Sequence, residues 1–211
     1  MKLKTPFFII EVEWLFLIVF FIFLFSSKVK EILFSFFICY LFIVFHEFFH
    51  MFLASILGKD VEKFKITLAG VCIEFKKEKY KLSKNKYNKV NCIKNILIYV
   101  AGPLSNFILA YIFRNIEMIY QVNLFFAIIN LMPLYPLDGY NIFVNFLCLL
   151  RLNITLQEII IKCIQYFLYF NLFIIGLMQF FLYKNPSIVI FLLYIFILHK
   201  KNDTILSKFI M

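Results

Sequence analysis

ILFSFFICYLFIVFHEFFHMFLASIL, residues 32–57, is apolar from end to end except for His46, Glu47, His50 and small polar groups. About 20 consecutive apolar residues suffice to cross a bilayer as a helix. The stretch is therefore read as a transmembrane helix, stopped by Gly58. An ionisable side chain at the middle of such a helix costs about 2.5–3.5 kcal/mol or more and is rare without a role. An acid flanked by two histidines needs an explanation that lipid contact does not provide.

The rest of the chain is of the same kind. Its 211 residues are 64% hydrophobic and 21% aromatic, with a mean hydropathy of +0.91. Soluble domains are about 45–50% apolar, so a polytopic α-helical membrane protein is expected, with no room for a large separate soluble domain. Residues 7–25 form a first apolar segment, and no small-residue cleavage site follows it, so it is not a signal peptide. Ile96–Phe113 is a third and Ile116–Leu150 a fourth, broken by Pro133, Pro136 and Gly139. Ile159–Tyr183 is a fifth, and Ser187–His199 a sixth. Six spans are expected, as one domain over residues 1–200 with a short tail at 201–211.

Charge gives the expected orientation. Residues 59–94 hold 11 lysines, and in a six-span topology 18 of the 22 basic residues fall on one side. The positive-inside rule places that loop and both termini in the cytoplasm. Topology accounts for the net charge of +10, and no nucleic-acid partner is expected. Within the loop, FKITL (64–68) and VCIEF (71–75) alternate apolar and polar around Ala69-Gly70, a hairpin pattern. FIIEVE (8–13) alternates likewise and reads as a third strand at the membrane surface. The five cysteines form no CxxC pair and read as buried small hydrophobes.

On a helix, His46 and His50 stand one turn apart on one face, about 40° apart around the axis. Two such imidazoles can bind one metal ion, with Glu47 beside them able to reach a water on it. This is the HExxH arrangement of zinc proteases. Zinc lowers the pKa of its water to about 7, and the Glu takes the proton during attack on a carbonyl. A third ligand is needed. NLMPLYPLDGY (130–140) offers Asp138, the only acid between Met118 and Leu152. The prolines and glycine around it break the helix, and irregular backbone at membrane depth is tolerated where it lines a cavity or packs in protein. Two histidines, one carboxylate and an open fourth position make a catalytic rather than a structural zinc site.

Together HEFFH and Asn130…Pro133…Pro136…Asp138-Gly139 resemble the site-2 protease family of intramembrane zinc metalloproteases, as does VAGPLSN (100–106). The likeness is nearest to the stage IV sporulation protein FB group. It implies zinc held by His46, His50 and Asp138, Glu47 as base and proton shuttle, and Asn130 contacting substrate or stabilising the oxyanion. It further implies a membrane-associated protein substrate, such as the precursor of a late sporulation sigma factor, and inhibitory membrane-protein partners. The chain departs from the family at Phe49, where Gly often precedes the second histidine, and at Tyr140, where a second Gly often follows Asp-Gly. Neither a CBS nor a PDZ domain is expected.

Substrate must be extended to be cut, and an edge of the proposed hairpin could add it as a strand. Other polar residues have structural readings. Ala101, Gly102 and Ser105 let helices approach closely. Asn141 and Asn145 either support Asp138 or join helices, and Gln165, Asn171 and Gln179 join helices. Two rival functions are a metal-ion transporter and a non-catalytic membrane scaffold. The first would want a polar path through both leaflets, whereas the polar groups gather toward one side. The second leaves Glu47 without a use.

Overall fold

The structure, a computed structural model, describes residues 2–4, 9–14, 30–67, 70–75, 89–184, 186, 188–190 and 192–193. In chain order these form β1 (Lys2–Lys4), β2 (Ile9–Val12), α1 (Lys30–Ile56), β3 (Val61–Thr67), β4 (Gly70–Phe75), α2 (Lys89–Ile112), α3 (Glu117–Asn130), α4 (Asp138–Leu149) and α5 (Ile154–Tyr183). They fall into two compact units. One holds residues 1–86 and 97–129, the other 87–96 and 130–211.

Three helices among the described residues are long and apolar enough to cross a membrane: Phe37–Ile56 within α1, Lys89–Ile112 (α2) and Ile154–Tyr183 (α5). Most of the first expected segment and most of the sixth lie outside the described residues. The fourth expected segment is two short helices, α3 of 14 and α4 of 12 residues. At about 1.5 Å per residue neither reaches across about 30 Å of hydrocarbon. α2 begins at Lys89, seven residues before the expected Ile96, because its first two turns carry Lys89, Lys94 and Asn95 and lack the apolar run that marks a span.

In the first unit, α1 ends in a Schellman motif. Gly58 takes φ +75°, its N–H donates to Ser55, and the N–H of Lys59 donates to Ala54. A left-handed residue at this position is the usual seat of Gly. The chain turns straight into the hairpin, whose β3 and β4 pair antiparallel with Phe64 opposite Ile73 and Ile66 opposite Val71. Phe64, Ile66 and Val71 lie on one face, as the alternation requires, and α1 packs against both strands. β2 is the expected third strand, parallel to β3, and β1 adds a fourth. The order β1-β2-β3-β4 makes β3 an interior strand. Among the described residues the free edge of the hairpin is therefore on β4.

In the second unit, the first turns of α2 run antiparallel to α4. Asn95 Nδ2 donates to Asn145 Oδ1 (2.9 Å), and one turn earlier on α2 and one turn later on α4 the thiols of Cys92 and Cys148 touch. Asn145 thus joins helices. α4 also packs on α5. Two expectations fail here. Cys163 is exposed on α5 rather than buried, which suits a lipid-facing surface carrying Phe167, Phe170 and Phe173. Asn171 donates to the carbonyl of Phe167 in its own helix rather than to a neighbour.

Candidate metal centre

His46 and His50 are both buried, each 4% exposed, on one face of α1. Their Nε2 atoms converge to 3.1 Å. Two zinc-bound nitrogens at bond lengths of about 2.0–2.1 Å in a tetrahedron stand about 3.3 Å apart, so this pair has the separation of two ligands on one ion. The other ring nitrogens are held from α2. Nδ1–H of His50 donates to the carbonyl oxygen of Ile98 (2.6 Å). That bond leaves the lone pair of His50 on Nε2, where a metal needs it. Nδ1 of His46 lies 3.0 Å from Nδ2 of Asn106.

Gly102 faces the histidine pair from α2. A Cβ built on it would stand 2.5 Å from Nε2 of His46 and closer still to Nε2 of His50. The point a side chain would fill is thus within ligating reach of both nitrogens. Ser105 Oγ–H donates to the carbonyl of Gly102 (2.7 Å), and Ala101, Gly102, Pro103, Ser105 and Asn106 are all buried. VAGPLSN is therefore the wall against which the histidine pair is built. The small residues do allow close approach, and what approaches is the pair of imidazoles. This donor set, with its second nitrogens engaged and a cradle beside it, fits a bound metal ion.

Glu47 is half-buried and lies one position after His46, about 100° around the helix, flanking the Nε2 pair rather than continuing it. The bulky Phe49 has its room: it packs on Phe45 with ring centroids 5.2 Å apart and edge-on against Phe48 and Phe52. It lies off the histidine face and costs no ligand.

In the second unit, Asn130 is the last residue of α3 and Asp138 the first of α4. Between them the chain makes a tight turn. Leu134 N–H donates to Met132, Leu137 N–H to Leu134 and Tyr140 N–H to Leu137, with Leu134 fully buried. Gly139 permits this turn, since any Cβ there would collide with the carbonyls of Leu131 and Met132. Asp138 thus sits in the first turn of a helix, where the unpaired N–H groups and the helix dipole favour a carboxylate. Tyr140 packs edge-on against Tyr135 at 5.5 Å and braces the same turn.

Asn106 and the carbonyl of Ile98 were not foreseen as parts of the site. The legible signal for Asn106 was its i+4 spacing from Gly102, which puts both on one face of an apolar helix.

Residues 34–118 match the model of peptidase family M50, a stretch that holds HEFFH, the hairpin and VAGPLSN but stops short of Asp138. The fold is similar to that of the site-2 protease from Methanocaldococcus jannaschii. The TM-score is 0.62, over 93% of this chain and 92% of that one, at 20% sequence identity. No curated protein matches the sequence.

Proposed function

We propose that this protein is an intramembrane zinc metalloprotease, with His46, His50 and Asp138 as the ligands of its metal and Glu47 as the catalytic base. The observation that carries the reading is the convergence of His46 Nε2 and His50 Nε2 at 3.1 Å beside Gly102. The match to peptidase family M50 supports the protease class. Zinc bound there would supply a Lewis acid to polarise a carbonyl and to bring the pKa of water to about 7. Glu47 would accept the proton of the attacking water and pass it to the leaving amine. Asn130 would contact substrate near the 130–138 turn. The deciding experiment incubates the purified full chain with membrane-protein substrates, with and without a zinc chelator. Cleavage that the chelator leaves intact would sink the zinc reading. Metal transport into vesicles without cleavage would favour the transporter instead.

Asp138 is the ligand that the family match does not reach. Asp138→Asn is expected to lower zinc affinity along with activity, since an amide is a poorer zinc ligand than a carboxylate. Unchanged zinc content by elemental analysis would remove Asp138 from the ligand set.

We place the active site and both termini toward the cytoplasm, on the weight of lysines in the 59–94 stretch. A single cysteine introduced between Lys76 and Lys89, in a chain cleared of its own cysteines, is expected to resist an impermeant thiol reagent on intact cells and to react once they are opened. Labelling of intact cells would reverse the orientation. The motif likeness to the sporulation protein group supports the precursor of a sporulation sigma factor as substrate. Co-expression with such a precursor tests this, and a precursor left uncut would discard it.

A further inference from the structure

We infer that Asn106 is a positioning residue for the metal, and that in the metal-bound protein it faces His46 with its side-chain oxygen rather than its nitrogen. The inference rests on the zinc reading above. Asn106 is 0% exposed. As placed, Nδ2 lies 3.0 Å from Nδ1 of His46, and the oxygen Oδ1 is buried with no hydrogen-bond partner. An unsatisfied buried polar atom costs about 1–3 kcal/mol, and hydrocarbon offers no water to relieve it. A half-turn of the amide exchanges the two atoms within almost the same volume.

The chemistry of the histidine pair says when that half-turn is needed. With the nitrogen toward His46, the amide donates to Nδ1, so the imidazole proton must sit on Nε2. That proton points at Nε2 of His50, 3.1 Å away, and His50 in turn donates through Nδ1 to Ile98. The result is one directional chain of donors from Asn106 through both histidines to a backbone carbonyl. It is self-consistent for a metal-free pair, and it leaves His46 without a lone pair for a metal. A metal on Nε2 moves the proton to Nδ1, which then needs an acceptor. Within reach of that atom the structure has Asn106, whose oxygen is the atom left over. The turned amide accepts from Nδ1–H, leaves no buried acceptor unused, and fixes the ring with Nε2 toward the metal. Such partners of ligating histidines raise their basicity and hold their orientation.

The test compares zinc affinity, by competition with a chromogenic chelator, in the detergent-purified full chain and three variants. Asn106→Leu and Asn106→Ala both lack an acceptor, and alanine adds no bulk should leucine not fold. Asn106→Asp keeps an acceptor and loses the donor. Loss of an outer partner typically costs about 10–100-fold in metal affinity, so the leucine and alanine variants are expected to bind zinc at least about tenfold more weakly than wild type. The aspartate variant is expected to stay within about threefold of wild type, or to bind more tightly, because a carboxylate is the stronger acceptor. A residue that only fills space would not be rescued by aspartate and lost with alanine in this way. Alanine binding as tightly as wild type would overturn the positioning role, and aspartate as weak as alanine would overturn the oxygen-facing orientation. A wild-type chain that binds no zinc would overturn the zinc reading itself, so the two failures are told apart.

Discussion

Gly102→Ala is expected to strip the metal from the site and abolish proteolysis with it. The argument is steric and local. The new methyl would stand 2.5 Å from Nε2 of His46 and closer to Nε2 of His50, in the space the two nitrogens share. Gly102 lies inside α2 beside Pro103, and both are buried, so the backbone has little freedom to retreat. The relief available is rotation of the imidazoles. Rotation breaks the Nδ1–H bond of His50 to Ile98 (2.6 Å) and the contact of His46 with Asn106 (3.0 Å). Losing one such outer partner costs about 10–100-fold in metal affinity. Displacing both donors as well is expected to cost about 100-fold or more, on the same scale. Overpacking by one methyl costs about 1–3 kcal/mol of stability, so zinc content is to be read on folded protein of unchanged helicity. Wild-type zinc affinity in a folded Gly102→Ala chain would show that the histidine pair is not a metal site. An outward-facing substitution two residues along, Leu104→Ala, is the control, since Leu104 is 52% exposed.

What could be read from the sequence was what local pattern carries. The i,i+4 spacing of His46 and His50 needs only one regular helix to become a convergent pair, so FHEFFH spoke for itself. The break between α3 and α4 followed from Pro133 and Pro136, each of which acts on its own backbone, whereas Gly139 lies inside α4 and makes room for the carbonyls of Leu131 and Met132. The hairpin followed from alternation, but its register did not: a turn at Ala69-Gly70 would set Leu68 opposite Val71, whereas Gly70 pairs with Thr67 and Ile66 with Val71. Less legible were features made by chain segments meeting. Ile98 and His50 are 48 residues apart, and Asn106 and His46 are 60 apart. No periodicity marks which turn of α2 will meet which turn of α1. Gly102 was read as a site of close approach, but only the facing imidazoles reveal what it makes room for. The interior place of β3 depends on β2 pairing from more than 50 residues away, which turns a free hairpin into one end of a four-stranded sheet. The start of α2 was hidden because Lys89, Lys94 and Asn95 look like loop residues until Asn95 finds Asn145.

Glu47→Gln is expected to abolish cleavage while zinc stays bound, and this pair of outcomes separates the protease reading from its rivals. Glu47 sits between His46 and His50 in sequence but about 100° around the helix from His46, and it is half-buried. On the proposed reading its carboxylate serves a water rather than completing the ligand pair. Glutamine keeps the size and the hydrogen-bonding capacity of the side chain and removes the base. General acid–base groups contribute about 10²–10⁴-fold to rate, so cleavage of a membrane substrate by the purified variant is expected to fall by about that factor. Zinc content should match wild type, because no proposed ligand has changed. In a metal transporter the same carboxylate would bind or relay the cargo, and glutamine would then weaken metal binding. In a scaffold the change would alter neither zinc nor any rate. Cleavage by the glutamine variant at more than about a tenth of the wild-type rate would remove Glu47 from the base role, since a group that supplies at least about 10² cannot be spared so cheaply. Loss of zinc together with activity would instead make Glu47 a ligand, and the base would have to be assigned afresh.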